Sequence, residues 1–177
     1  VNYAELLELG LDGFSRKVAE RRSRLNLADW GDLQREQFLK GVALVFDALS
    51  DYILRFALLA DEMAAVEPRA WRAGELKSIA KNCRQIALHA PQSFWQALQL
   101  SYFVQLVLQI ESNGHSVSFG RMDQFLYPWY QKDVASGTLA REQAIELLEN
   151  TYQSVVHSDV DLGTGASGVV LMQHIAE

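Results

Sequence analysis

Ser93-Phe94-Trp95-Gln96-Ala97-Leu98-Gln99-Leu100-Ser101-Tyr102-Phe103-Val104-Gln105-Leu106-Val107-Leu108-Gln109-Ile110-Glu111-Ser112 reads as a helix without a polar face. At about 100° per residue, Gln96 and Gln99 fall on one side and Gln105 and Gln109 nearly opposite, with large apolar residues filling the rest. A helix that is apolar all round lies either deep in a protein or across a bilayer. About 20 residues are enough to span hydrocarbon, but glutamines spread around the circumference are costly there. Burial is therefore the expectation. Ser93 with Gln96 three residues on is a capping box, which sets the start after Pro91-Gln92.

The chain leaves this helix through Asn113-Gly114, a left-handed stop. Gly114-His115-Ser116-Val117-Ser118-Phe119-Gly120-Arg121-Met122-Asp123-Gln124 follows, alternating small polar and apolar residues between glycines. That period of two predicts a short strand near 115–120, with the hydroxyls of Ser116 and Ser118 on one side. Arg121 and Asp123 share a parity on extended chain, which suits an ion pair or a backbone anchor. Asp123 is a candidate cap for a short helix interrupted by Pro128, and Gly137 ends that region.

Working outward, Leu7, Leu11, Phe14 and Val18 mark one face of a helix from Tyr3 to Arg22, which Gly10 and Gly13 weaken. Asn26 to Asp32 is a linker, with Asp29 or Asp32 as the next N-cap. From Leu33 to Val66, the residues Val42, Phe46, Leu49, Ile53, Phe56, Ala60 and Met63 form a heptad-like stripe. Leu39, Val45, Leu54, Leu58 and Leu59 broaden it beyond a coiled-coil seam, as packing in a bundle requires. Pro68 ends it. Arg69 to Leu88 follows with Leu76, Ile79, Cys83 and Ile86 on its apolar side. Leu139 to Val156 is the last helix, using Ala144, Leu147, Leu148 and Tyr152. Beyond Val156, the small, glycine-rich run reads as a loop or loosely ordered tail.

With 177 residues, 49% hydrophobic and 21% charged, the chain has material for one domain with a substantial core. A net charge of -6 argues against non-specific binding to nucleic acid or an anionic membrane. The lone Cys83 rules out an internal disulfide and reads as a buried, inert thiol in a reducing compartment. The start at Val1 shows no signal-peptide pattern and no methionine, so a fragment or processed terminus is expected. The run from Gly163 to Gly168 lacks the ending of a phosphate loop. Ser154, His157 and Asp159 have no nucleophile elbow. Glu111, His115 and Asp123 lose metal-ligand spacing at the Asn113-Gly114 break, so neither a metal site nor a catalytic residue is assigned.

Ser93 to Gln99, Gln109 to Gln124 and Leu126-Tyr127-Pro128 together resemble the glycyl radical enzymes. The likeness is greatest to the pyruvate formate-lyase-like branch, which includes glycerol and diol dehydratases and choline lyase. It extends from Val1 through Tyr152, including Ala19-Glu20-Arg21-Arg22-Ser23-Arg24 and Glu36-Gln37-Phe38-Leu39. The fold implied is a ten-stranded α/β barrel wrapped in helices. This chain would be a mainly α fragment of it, with about five to six helices and one short strand near 115–120. Residues 1–156 would form the helical part, and 157–177 an atypical glycine-rich tail, disordered or non-native.

By the same resemblance, Ser116 matches a serine close to the substrate hydroxyls in the dehydratases. Gly114, His115, Ser118, Arg121 and Asp123 are expected to be structural residues around that pocket wall. The family's thiyl cysteine, its carboxylate base and its C-terminal radical glycine motif are not matched here. The expectation is an N-terminal-half fragment, inactive alone and holding no cofactor of its own. Its parent would cleave a C–C, C–O or C–N bond of a small polar substrate in an anaerobic cytoplasm. The parent's protein glycyl radical would be installed by a radical-SAM activase. The alternative is a non-catalytic helical interaction or oligomerisation module, self-associating through the Leu33 to Val66 stripe and the Ser93 to Ser112 helix.

Overall fold

Apolar residues spaced by three and four draw this chain into helices. The computed structural model describes residues 1–111 and 118–161. The helices among them are α1 (Tyr3–Ser23), α2 (Trp30–Val66), α3 (Ala70–Leu88), α4 (Phe94–Glu111), α5 (Met122–Ala135) and α6 (Arg141–Asp161). Helix α4 packs against all five others. Its neighbours are thus largely supplied by the chain itself: Phe94, Ala97, Leu98, Leu100, Phe103 and Leu106 are buried, while Ile110 stays 52% exposed.

Three of the glutamines that mark α4, Gln96, Gln99 and Gln105, bond to side chains on the helices around it. Gln96 Nε2 donates to Asn82 Oδ1 at 3.0 Å, and Gln99 Nε2 donates to Cys83 Sγ at 3.1 Å, both on α3. Gln105 Oε1 accepts from the Tyr3 hydroxyl on α1 at 2.9 Å. Cys83 is fully buried, and burial pushes its thiol up to about 12.

Helices α2 and α3 form the most extensive pairing. On α2, Leu49, Ile53 and Ala60 are buried, with Phe46, Phe56 and Met63 packed against the same core. The stripe therefore serves bundle packing. Val45 and Leu58, expected to widen that packing, are each 58% exposed instead. Asp29 is the N-cap of α2, accepting from Asp32 N at 3.0 Å. The Arg22 guanidinium ties α1 to α2 through two-pronged bonds to Glu36, at 2.7 to 3.2 Å, and holds that carboxyl below the usual range.

Four expectations need correction. Gly10 does more than weaken α1: it breaks it with φ 67°, because its missing side chain lets α1 lie on the backbone of His89 and Ala90. Pro128 does not interrupt α5, because Phe125, Leu126, Trp129 and Tyr130 hold the helix to the core on both sides of it. Tyr152 is 60% exposed and not on the packed face of α6, which buries Ala144. That helix also continues through 157–161, where a tail was expected; no helix breaker occurs before Gly163.

Candidate functional site

The expected pocket wall runs from Gly114 to Asp123. Gly114, His115 and Ser116 lie outside the described residues, as does the first part of the expected strand. Among the described residues there is no strand, and Ser118, Phe119 and Gly120 have no regular secondary structure. A lone strand would leave its N–H and C=O groups without a ladder. Phe119 instead packs with Tyr102 and Leu106, and Gly120, at φ 69°, turns the chain into α5.

Arg121 and Asp123 do meet, but at a helix start and not on a strand. The guanidinium holds the carboxylate in two parallel bonds of 2.9 and 2.7 Å. Arg121, not Asp123, is the N-cap residue of α5 and makes no side-chain capping bond; Asp123 sits in the first turn, where its carboxylate also bonds the backbone of Asp123 and Gln124. Its carboxylate faces the Arg121 guanidinium, which holds it below the usual carboxylate range. The pair is solvent-facing, with side chains 70% and 65% exposed.

Behind Asp123, helices α5 and α6 leave a cleft of about 410 Å³, lined by Met122, Leu126, Tyr130, Ala144 and Leu148, with Asp123 and Arg141 among its polar groups. Such a space can hold an apolar or aromatic group and present one charge of each sign beside it. It gathers no nucleophile and base. No group of three or more His, Cys, Asp or Glu with metal-binding geometry occurs among the described residues. No described helix is long and apolar enough to cross a membrane.

The residues that fix this corner were not evident from sequence. Asp133, on α5 and buried, accepts from the Phe94 N–H at 2.7 Å and so caps α4 from another helix. Lys132 Nζ donates to the Gln92 carbonyl at 2.9 Å. Tyr3 stacks on Phe125 with ring centroids 4.9 Å apart and 19° between planes, and tilts against Phe119 at 6.1 Å. Lys132-Asp133 beyond a proline carried no signal for a cap separated by 39 residues.

Residues 1–155 match a family model described as pyruvate formate lyase-like. The chain is 60% identical over 153 residues to a probable dehydratase, YbiW, of Escherichia coli K12, covering 86% of this chain and 19% of that protein. It is 42% identical over 154 residues to the (2S)-3-sulfopropanediol dehydratase of Klebsiella oxytoca, covering 86% and 18%. A solved Roseburia inulinivorans structure, described for 1,2-propanediol dehydration, matches with a TM-score of 0.83 at 38% identity, over 90% of this chain and 19% of that one. The chain spans about a fifth of the length of the curated relatives it matches.

Proposed function

Because this chain belongs to the pyruvate formate lyase-like family, we propose that it forms the helical flank of the substrate pocket in a glycyl radical dehydratase or lyase. It is a fragment of such an enzyme and cleaves no bond alone. The observation that supports this most is the 60% identity to a probable dehydratase of which it covers only 19%. The groups present do not fit the family's radical chemistry. Cys83 is fully buried, its Sγ accepts from Gln99, and its thiol is pushed up to about 12. No Arg-Val-Ala-Gly-Tyr type motif stands in the sequence. The glycyl radical, the radical-SAM activase that installs it and the anaerobic cytoplasmic setting belong to the proposed parent. What this chain contributes is positioning. Ser116 donates a hydrogen bond to a hydroxyl of a small polar substrate, and Gly114, His115, Ser118, Arg121 and Asp123 hold its wall.

A chimera tests the reading. Residues 1–153 replace the matching segment of the Klebsiella oxytoca dehydratase, and the protein is treated with that enzyme's activase. A glycyl radical signal in electron paramagnetic resonance, with turnover of (2S)-3-sulfopropanediol, is expected. Ser116→Ala should then raise KM roughly tenfold, as for one lost hydrogen bond to substrate. Unaltered kinetics would remove Ser116 from the pocket. A radical signal from the 177-residue chain alone would overturn the fragment reading.

One observation favours the second reading, a self-associating helical module: Phe38 and Leu44 on α2 are 71% and 70% exposed. Sedimentation decides it. A discrete oligomer dispersed by Phe38→Glu supports the module, and a monomer at all concentrations removes it.

A further inference from the structure

Tyr3 touches both α4 and the turn that leads into α5, and we propose that it is a positioning residue that sets the described part of the pocket wall against α4. The kinetic side of this proposal rests on the enzymatic reading above; the structural side does not.

Tyr3 opens α1 and is 5% exposed. Its backbone is fixed by the start of that helix, where Asn2 Oδ1 accepts from the Glu5 N–H at 3.3 Å and Lys17 pairs with Glu5 at 2.6 Å. The hydroxyl at the far end of the ring donates to Gln105 Oε1, and Gln105 is 1% exposed on α4. Anchored at both ends, the ring cannot slide. Its two faces and edges are then available to Phe125, stacked in the first turn of α5, and to Phe119, tilted just before Gly120. Phe119 and Phe125 bracket Arg121 and Asp123 in sequence. One side chain therefore references both sides of the Gly120 turn to the central helix. Burial pushes the hydroxyl up to about 12, so it remains a donor across the range in which the protein would work.

Leucine at position 3 keeps apolar volume but loses stack and hydrogen bond; phenylalanine keeps the stack and loses only the bond. In hydrogen exchange on the whole chain, Tyr3→Leu should speed the amides of Phe125 and Leu126 by about tenfold and Tyr3→Phe by about threefold, with Ile79 to Ile86 of α3 unchanged. Faster exchange in α3 to the same degree, or none at Phe125 in either variant, overturns the proposal. In the chimera, Tyr3→Leu should raise KM by roughly fivefold with kcat within about twofold, and Tyr3→Phe should fall between. Accelerated exchange with KM unmoved overturns the positioning role. A chimera inactive with the unmodified segment counts against the enzymatic reading alone, and exchange then decides the contact.

Discussion

The two ends of α4 are built differently. At its start, the Gln96 N–H donates to Ser93 Oγ at 3.3 Å, the Gln92 N–H to Gln96 Oε1 at 2.8 Å and the Phe94 N–H to Asp133 Oδ2 at 2.7 Å. The N–H groups of Phe94 and Gln96, two of those a helix start leaves open, are thereby met within the chain, and the Gln92 bond ties the preceding residue to the same turn. Towards its far end, the Tyr3 hydroxyl bonds Gln105, Val104 and Val107 are half-buried, and Ile110 and Glu111 are exposed. Buried directional bonds fix where α4 begins, whereas the polar contact described at the wall, the Arg121–Asp123 pair, faces solvent. The capped end should therefore be sensitive to single substitutions, and the wall end insensitive in stability but responsive in binding.

The largest effect should come from Gly10→Ala, which strikes the connection feeding the capped end. A Cβ there would stand 2.6 Å from Ala90 N and 2.7 Å from its Cα, on a residue at φ 67°. Backbone at φ 67° and ψ 178° is a region essentially restricted to glycine and costs roughly 1–3 kcal/mol for a residue with a Cβ, and the collision is with backbone that cannot rotate away. A loss of about 3 kcal/mol or more in urea unfolding is expected. Wild-type stability in this variant would show that α1 does not rest on that connection.

Asp133→Ala comes next. It removes a buried cap from Phe94, at a cost of about 1–2 kcal/mol. Asp133→Asn, whose amide oxygen can still accept, should recover much of that. Equal losses in the two variants would mean that Asp133 acts through its charge and not as a cap.

These two sites also show what sequence could and could not reveal. The all-round apolar character of α4, its Ser93 cap and its buried glutamines are legible because they are properties of one periodic segment. The partners of those glutamines are not, since Asn82, Cys83 and Tyr3 are brought in by tertiary packing. Asp133 and Gly10 fail for the same reason: one caps a helix 39 residues away, the other makes room for a backbone far along the chain. Pro128 misleads in the opposite sense, because a local breaker is overridden by packing on either side. For the wall, alternation of Ser116, Val117, Ser118 and Phe119 suggested a strand, but among the described residues Ser118 to Gly120 finds no second strand to pair with and Phe119 is drawn into the aromatic cluster. The family resemblance, by contrast, was carried by three neighbouring stretches between Ser93 and Pro128 and needed no tertiary information.

Alkaline pH sharpens the comparison with a smaller effect. Cys83 lies between α3 and the capped half of α4; burial raises its thiol from 9.0 to about 12. The folded state holds this proton more tightly than the unfolded chain. Its contribution is therefore complete below pH 9 and is lost as pH rises towards 12, by about 1 kcal/mol at pH 10. Tyr3 and Tyr102, each raised from 10.0 to about 12, add to the decline from pH 10 upward. Urea midpoints should be level up to about pH 9 and then fall, and Cys83→Ala should delay the fall by about one pH unit. A wild-type midpoint level to pH 11 would mean that the thiol is not sequestered as described.

The smallest effect is expected at the wall. Arg121 and Asp123 make good two-pronged geometry, but both are solvent-facing, where water and salt screen the pair and ordering two side chains opposes it. Arg121→Ala should leave the urea midpoint unchanged within error at neutral pH. It should also let Asp123 titrate closer to its ordinary 3.8, a rise visible in an NMR titration, since the guanidinium bond is the main cause of its lowered value. The lowered carboxyl stabilises the fold only above its unfolded pKa, so any contribution disappears as pH falls through that range, and Arg121→Ala should flatten that acid limb slightly. A midpoint shift as large as that of Asp133→Ala would make the wall a structural lock like the capped end, and the contrast between the two ends of α4 would be lost. An unmoved midpoint combined with a raised KM in the chimera would assign the pair to the pocket and not to the fold.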